Sequence, residues 1–173
     1  MIRPMIAAVL ILTATAANAQ TPYAGMQARP IKALSEQQVA DLAAGRGMGL
    51  ALAAELNGYP GPIHVLELAD RLELSADQRA RIKALFESMK AEALPLGAKL
   101  IAQEADLDKQ FAARTVTPES LKTSTAAAAV TQGELRETHL RYHLATVDVL
   151  SPGQMQRYAK LRGYGGKAMH HHH

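Results

Sequence analysis

Two histidines one helical turn apart, His139 and His143, are the side chains of this sequence best placed for chemistry. At this spacing both imidazoles leave one face of a helix, and such pairs commonly grip zinc, copper or nickel. Two ligands leave an ion short of partners. If the chain from Ala76 to Val149 folds back near Val116, residues whose numbers sum to about 232 lie side by side, to within about one 5.4 Å turn. His139 then falls near Ala93 and His143 near Met89, with Glu92 within a turn. Glu92 offers a carboxylate oxygen to a borderline ion, and Met89 a thioether to a softer one such as Cu(I). The competing reading is structural: histidines beside Tyr142, at the border of an apolar seam, hydrogen-bond and do nothing more. A second imidazole source, His170 to His173, follows a glycine-rich stretch. It binds divalent metals by local concentration, or it is a fragment of an affinity tag.

Other candidates are weaker. Gly45-Arg46-Gly47-Met48-Gly49 resembles a phosphate-cradling loop only in its glycines, because such loops join a strand to a helix and nothing here reads as a strand. The bland alternative is a weakened or broken helix, or a place where another helix approaches closely. Glu104 lies on an apolar stripe with Leu100, Leu107 and Phe111, so it needs a partner; an ion pair with Lys or Arg across the hairpin or a dimer is favoured over a metal. There is no G-x-S-x-G, no H-E-x-x-H and no triad spacing, so an enzyme is not expected.

The elements that must position these residues read as helices throughout. Ser35 to Gln38 is a capping box, with an apolar pattern continuing to about Leu56. Asn57-Gly58-Tyr59-Pro60-Gly61-Pro62 is a turn, after which a short helix runs to about Leu72, with His64 and Glu67 on one face. From Ala76 to about Ala113 a heptad seam of Ile82, Phe86, Met89, Ala93, Leu96, Leu100, Gln103 and Leu107 predicts a helix about 57 Å long at 1.5 Å per residue, with a kink at Pro95. Thr117 and Pro118 start the return helix, whose seam is Leu121, Ala128, Leu135, Tyr142 and Val149. Leu140, Leu144 and Val147 make its far side apolar too, which calls for a second cover: the first helix or a second subunit. A last helix runs from Ser151 to about Arg162.

Composition sets the address and excludes several classes. Residues 1–19 carry Arg3, an apolar run from Met5 to Ala17 and Ala17-Asn18-Ala19, the pattern of a cleaved secretory signal peptide. That run is too short to span a bilayer, so the mature chain is not expected to be an integral membrane protein. The net charge of +3 includes Arg3 and is too small to argue for nucleic acid. Cysteine is absent, which rules out disulfide stapling and thiolate chemistry. The domain plan is a signal peptide at 1–19, a mobile arm at 20–34, one helical domain at 35–162 and a flexible Gly/His tail at 163–173.

Leu74-Ser75-Ala76-Asp77-Gln78 and Leu150-Ser151-Pro152-Gly153-Gln154 open the long helix and the last one, and each is a capping box. Twice over, this L-S-x-x-Q pattern resembles the signature of the LTxxQ family of exported bacterial stress proteins, the Spy and CpxP chaperones, which are related to the CnrX-like heavy-metal-resistance sensors. The matching residues are Leu74, Ser75, Gln78, Leu150, Ser151 and Gln154, with Ser in place of Thr. The resemblance implies an all-α, kinked antiparallel hairpin with shorter flanking helices, dimeric and periplasmic. It also implies ATP-independent capture of partly unfolded envelope proteins, or an adaptor role, without a required cofactor. Arg46, Met48, Leu50 and Leu52 are the candidate client-binding residues. The alternative is a sensor or resistance protein that holds Zn, Cu or Ni and is read by a membrane partner. The sensors place their H-x-x-x-H pair in the N-terminal helix, and here that helix has no histidine.

Overall fold

The computed structural model describes residues 23–164; the expected leader and His170 to His173 lie outside the described residues. Six helices follow a short 3-10 turn at Met26–Ala28: α1 (Glu36–Ala43), α2 (Leu52–Glu55), α3 (Pro62–Glu67), α4 (Ala76–Ala112), α5 (Pro118–Val147) and α6 (Pro152–Leu161). Among the described residues there is no strand. Helices α1, α4, α5 and α6 all begin with a reciprocal box, set by Ser35/Gln38, Ser75/Gln78, Thr117/Ser120 and Ser151/Gln154. Each box satisfies backbone donors that a helix start otherwise leaves without partners.

α4 and α5 form the antiparallel hairpin. Lys99 reaches Glu134 at 3.6 Å and Gln110 reaches Ser124 at 3.3 Å, so numbers rise on one helix as they fall on the other. Ile82, Met89, Ala93 and Leu100 of α4 are buried, as are Leu135 and Tyr142 of α5, while Leu121 is exposed. α4 runs through Pro95 as one helix. Pro95 is on the solvent side, where the carbonyl it deprives of a donor is open to water.

The two motifs meet. Gln78 Nε2 donates to Gln154 Oε1 at 2.8 Å and to the Val149 carbonyl at 2.9 Å; Gln154 Nε2 donates back to Gln78 Oε1 at 3.0 Å and to the Leu72 carbonyl at 3.3 Å. Leu74 and Leu150 enter one apolar cluster with Val65, Ala69, Leu72, Ile82, Val149 and Tyr158. Thus each motif caps its own helix with the serine, buries its leucine and ties the two helix starts together with the glutamine.

A second cluster, Leu42, Ala93, Leu100 and Leu135, seats α1 on the middle of the hairpin. The seat depends on Gly97, where a Cβ would run into the Leu42 carbonyl.

Several boundaries differ from the sequence reading. The first helix stops at Ala43 rather than near Leu56, because Gly45 adopts φ 67° in a Schellman turn: Arg46 N–H donates to the Asp41 carbonyl and Gly45 N–H to that of Leu42. α3 ends at Glu67 and turns carry the chain to buried Leu72. The arm is docked at its inner end: Ile31 is buried and Lys32 pairs with Asp108 at 3.3 Å. Gly163 does not release the chain. It closes a turn in which Tyr164 N–H donates to the Ala159 carbonyl, sending Tyr164 back onto the protein. Glu104 is half-buried, and among the described residues no ion pair takes it.

Candidate functional site

The glycine-rich loop after α1 passes over α4 and α5 beside His139 and Met89, and the Asn57–Gly61 turn passes beside His143. Between these loops and the hairpin lies a cavity of about 590 Å³. α4 supplies Phe86, Met89 and Lys90 to its wall, α5 supplies His139 and His143, and Arg162 and Tyr164 close one end.

His143 is oriented by the turn. Its Nδ1 lies 2.7 Å from the Tyr59 carbonyl, which can only accept, so Nδ1 carries the proton and Nε2 keeps a free lone pair. His139 is 3% exposed, and its buried Nε2 has no hydrogen-bond partner among the described residues. Burial, and then the neighbouring His143, hold its pKa below 6.5, which favours the neutral imidazole at pH 7. Neutral imidazole is the form that binds metals. Two glycines give these rings their room. A Cβ on Gly47 would stand 3.3 Å from His139 Nδ1, and one on Gly61 would stand 2.9 Å from His143 Nε2.

Glu55, which the sequence reading passed over, is the polar hub of the site at 6% exposed. Its Oε2 accepts from the Gly61 N–H at 3.0 Å, and its Oε1 from the hydroxyls of Tyr158 and, at 3.1 Å, Tyr164. Arg162 Nε is 3.5 Å away and His143 Nδ1 3.8 Å. The carboxylate therefore spends its lone pairs on pinning α2, the turn and α6 together. Burial, and then the bond to Glu55, push the Tyr158 hydroxyl pKa up.

His139, His143 and Met89 thus share one cavity, as the folding-back rule expects. Glu92 does not join them. It lies on the next face of the hairpin, accepting from Tyr142 at 2.6 Å and Arg141 at 2.5 Å. Those two bonds, that from Tyr142 first, lower its pKa. The reason is angular, since Arg141 and Tyr142 point away from the face shared by residues 139 and 143. Arg46, Met48 and Leu52 reach the cavity rim, with Arg46 held by Asp41 at 2.5 Å. Leu50 is no surface residue; it packs half-buried on the Leu42 cluster.

No family model, no curated protein and no solved structure matches the chain. Chemical fit is therefore judged on the donors themselves. Among the described residues no three His, Cys, Asp or Glu side chains converge as they stand; the cavity is lined by the imidazoles of His64, His139 and His143, the Met89 thioether and the carboxylates of Glu55 and Glu67, the first of which is committed to its own hydrogen bonds. Imidazole and thioether donors as a class favour a soft ion such as copper(I) over a hard one. Sequence patterning finds the histidine pair. It has no means of finding Glu55, Tyr59, Gly61 or Tyr164, whose roles depend on contacts between distant segments.

Proposed function

We propose that this chain is an exported, LTxxQ-like helical protein that binds a soft transition-metal ion, copper(I) foremost, in the cavity between the hairpin and its two covering loops. The observation that carries this reading is the buried, partnerless Nε2 of His139 beside a His143 whose Nδ1 is already committed to the Tyr59 carbonyl. An unpaired polar atom in a buried site costs stability, so a ligand that fills it returns that stability on binding. Ion binding would tie α5 to α4 through His139, His143 and Met89 beneath the two loops, and this is the shape change that a partner could read.

The test is titration of Cu(I) against a chromophoric chelator, using the full chain with His170 to His173 changed to alanine so that only the cavity is measured. One ion should bind, and His139→Ala/His143→Ala should abolish binding. Met89→Leu, close in volume and benign for folding, should weaken Cu(I) and leave Zn(II) unchanged. Equal binding by the parent and the double variant would overturn the reading.

A second reading, client capture, is favoured by one surface feature. Leu52 and Leu56 are 53% and 59% exposed, with Met48 and Tyr59 also open beside the cavity mouth. On this reading the patch holds partly unfolded envelope proteins, and no metal is required. Leu52→Ser/Leu56→Ser should then abolish suppression of aggregation of an unfolded test protein while leaving Cu(I) binding intact. A second copy of the chain is the partner proposed for the exposed Phe111, Leu121 and Val130 on the hairpin, and sedimentation of the Phe111→Ser variant tests it.

A further inference from the structure

We propose that a second copy of the chain covers the far side of α5, the two α5 helices running antiparallel about a point between Arg136 and Glu137. This rests on the reading of a second copy as partner, and gives that copy a surface and a register.

The surface is a second heptad seam. Ala126, Gly133 and Leu140 each stand two residues before Ala128, Leu135 and Tyr142, the residues turned toward α4, and so lie about 200° round the helix from them. Val147 continues the row. Val130, Glu137 and Leu144 form the row beside it, each four residues further on, so the spacing alternates four and three as in a coiled coil. A helix apolar on two sides needs cover on two sides. The first helix does not supply it here: α1 is seated on α4 at Gly97, while Val130 and Leu144 are 59% and 56% exposed.

Gly133 is an independent sign. It lies inside α5, where glycine is a poorer helix former than alanine. At Gly47, Gly61 and Gly97 an added Cβ would meet a ring or a carbonyl of this chain, but at Gly133 it would meet nothing within 4 Å. No contact within the described residues calls for a bare α-carbon there. A helix arriving from outside does.

The seam fits its own reverse. Its upper end is small, with Ala126, Ala129 and Gly133, and its lower end is large, with Leu140, Leu144 and Val147. Reversal about the midpoint of Arg136 and Glu137 puts Leu140 opposite the partner's Gly133, Leu144 opposite the partner's Ala129 and Val147 opposite the partner's Ala126. Each large side chain meets a small one, as close packing requires. The one charged member of the seam, Glu137, meets the partner's Arg136. In the single chain Glu137 has Arg141 at 3.1 Å, a cation it shares with Glu92, and a carboxylate accepts further bonds. A twofold axis repeats every one of these contacts. In a parallel pair like would meet like, leaving a gap at Gly133 and repulsion at Glu137.

The chain has no cysteine, so cross-linking of the full chain reads the register. Gly133→Cys/Leu140→Cys should oxidise to a covalent dimer. Positions seven apart on one helix are about 10.5 Å apart, beyond the roughly 7 Å a disulfide spans. The double variant therefore cannot close on itself, and neither single variant can link to its own copy in this register. By sedimentation, Leu144→Glu and Gly133→Leu should each dimerise at least about tenfold more weakly, with helical circular dichroism unchanged. Arg136→Glu should weaken dimers too, and Arg136→Glu/Glu137→Arg should restore them. A covalent dimer from Gly133→Cys alone would overturn the antiparallel register. Dimers that survive Leu144→Glu and Gly133→Leu but not Phe111→Ser would put the second copy at the upper end of the hairpin, refuting this seam and leaving the second-copy reading standing. A parent chain that stays monomeric at millimolar concentration refutes both.

Discussion

Glu92 shows how one position separates two roles that spacing alone merges. It sits three residues from Met89, near enough in sequence to be read as a ligand, yet Tyr142 and Arg141 take its carboxylate on another face of the hairpin. Those bonds stabilise the ionised form, so its pKa lies below the ordinary 4.5. A carboxyl whose pKa is lower folded than unfolded contributes stability above about pH 4.5, and this is lost as the pH falls through the folded value. Glu92→Gln should therefore flatten that part of the acid limb in denaturant melts taken between pH 5 and 3. The same substitution should leave Cu(I) affinity unchanged at pH 7, and an effect there would return Glu92 to the ligand set.

At the scale of elements, the protein is held at two places where helices start or stop. The glutamine pair joins the starts of α4 and α6, and each amide also closes its own capping box. Gln78→Ala removes a cap bond and leaves the carbonyl of buried Val149 without its donor, which should cost about 1–3 kcal/mol. A double-mutant cycle with Gln154→Ala, read by urea melts, should give a coupling of about 0.5 kcal/mol or more. Strict additivity would mean that the two boxes act separately and the pairing is incidental. The other place is Gly97, where the end of α1 rests on α4 so closely that a methyl group would force the two apart.

At the scale of the whole molecule, stability is uneven along the hairpin. Its lower end and middle are covered by α1, α3, α6 and the loops, with one apolar cluster at the lower end and the other at the middle. The upper end is only two helices thick: beyond the Lys32–Asp108 tie, Phe111 and Leu121 are exposed, and Val130 is exposed on the side of α5 just before it. Amide exchange should accordingly be slowest at residues 82–100 and 135–146 and faster by orders of magnitude at 104–130, since local opening follows apolar cover. Uniform protection along both helices in the dilute monomer would contradict this. Selective protection of the upper half as concentration rises would mark the surface joined by a second copy.

The sequence alone determined what is local and periodic: four capped helices, the turn at Val116, the antiparallel register and the meeting of His139, His143 and Met89 in one region. These follow from cap chemistry and from counting turns, which need no knowledge of distant segments. Tertiary structure decided the rest. Only the packed chain separates Glu92 from the histidines, packs Leu50 half-buried, docks Ile31 and brings Glu55 to Tyr158 and Tyr164, because which face of a helix is covered depends on what arrives from elsewhere in the chain. The glycines carry the same lesson: Gly47 reads as part of a broken helix or a close approach and Gly61 as part of a turn, while the reason for both, as for Gly97, is space for a particular ring or carbonyl that no local pattern contains.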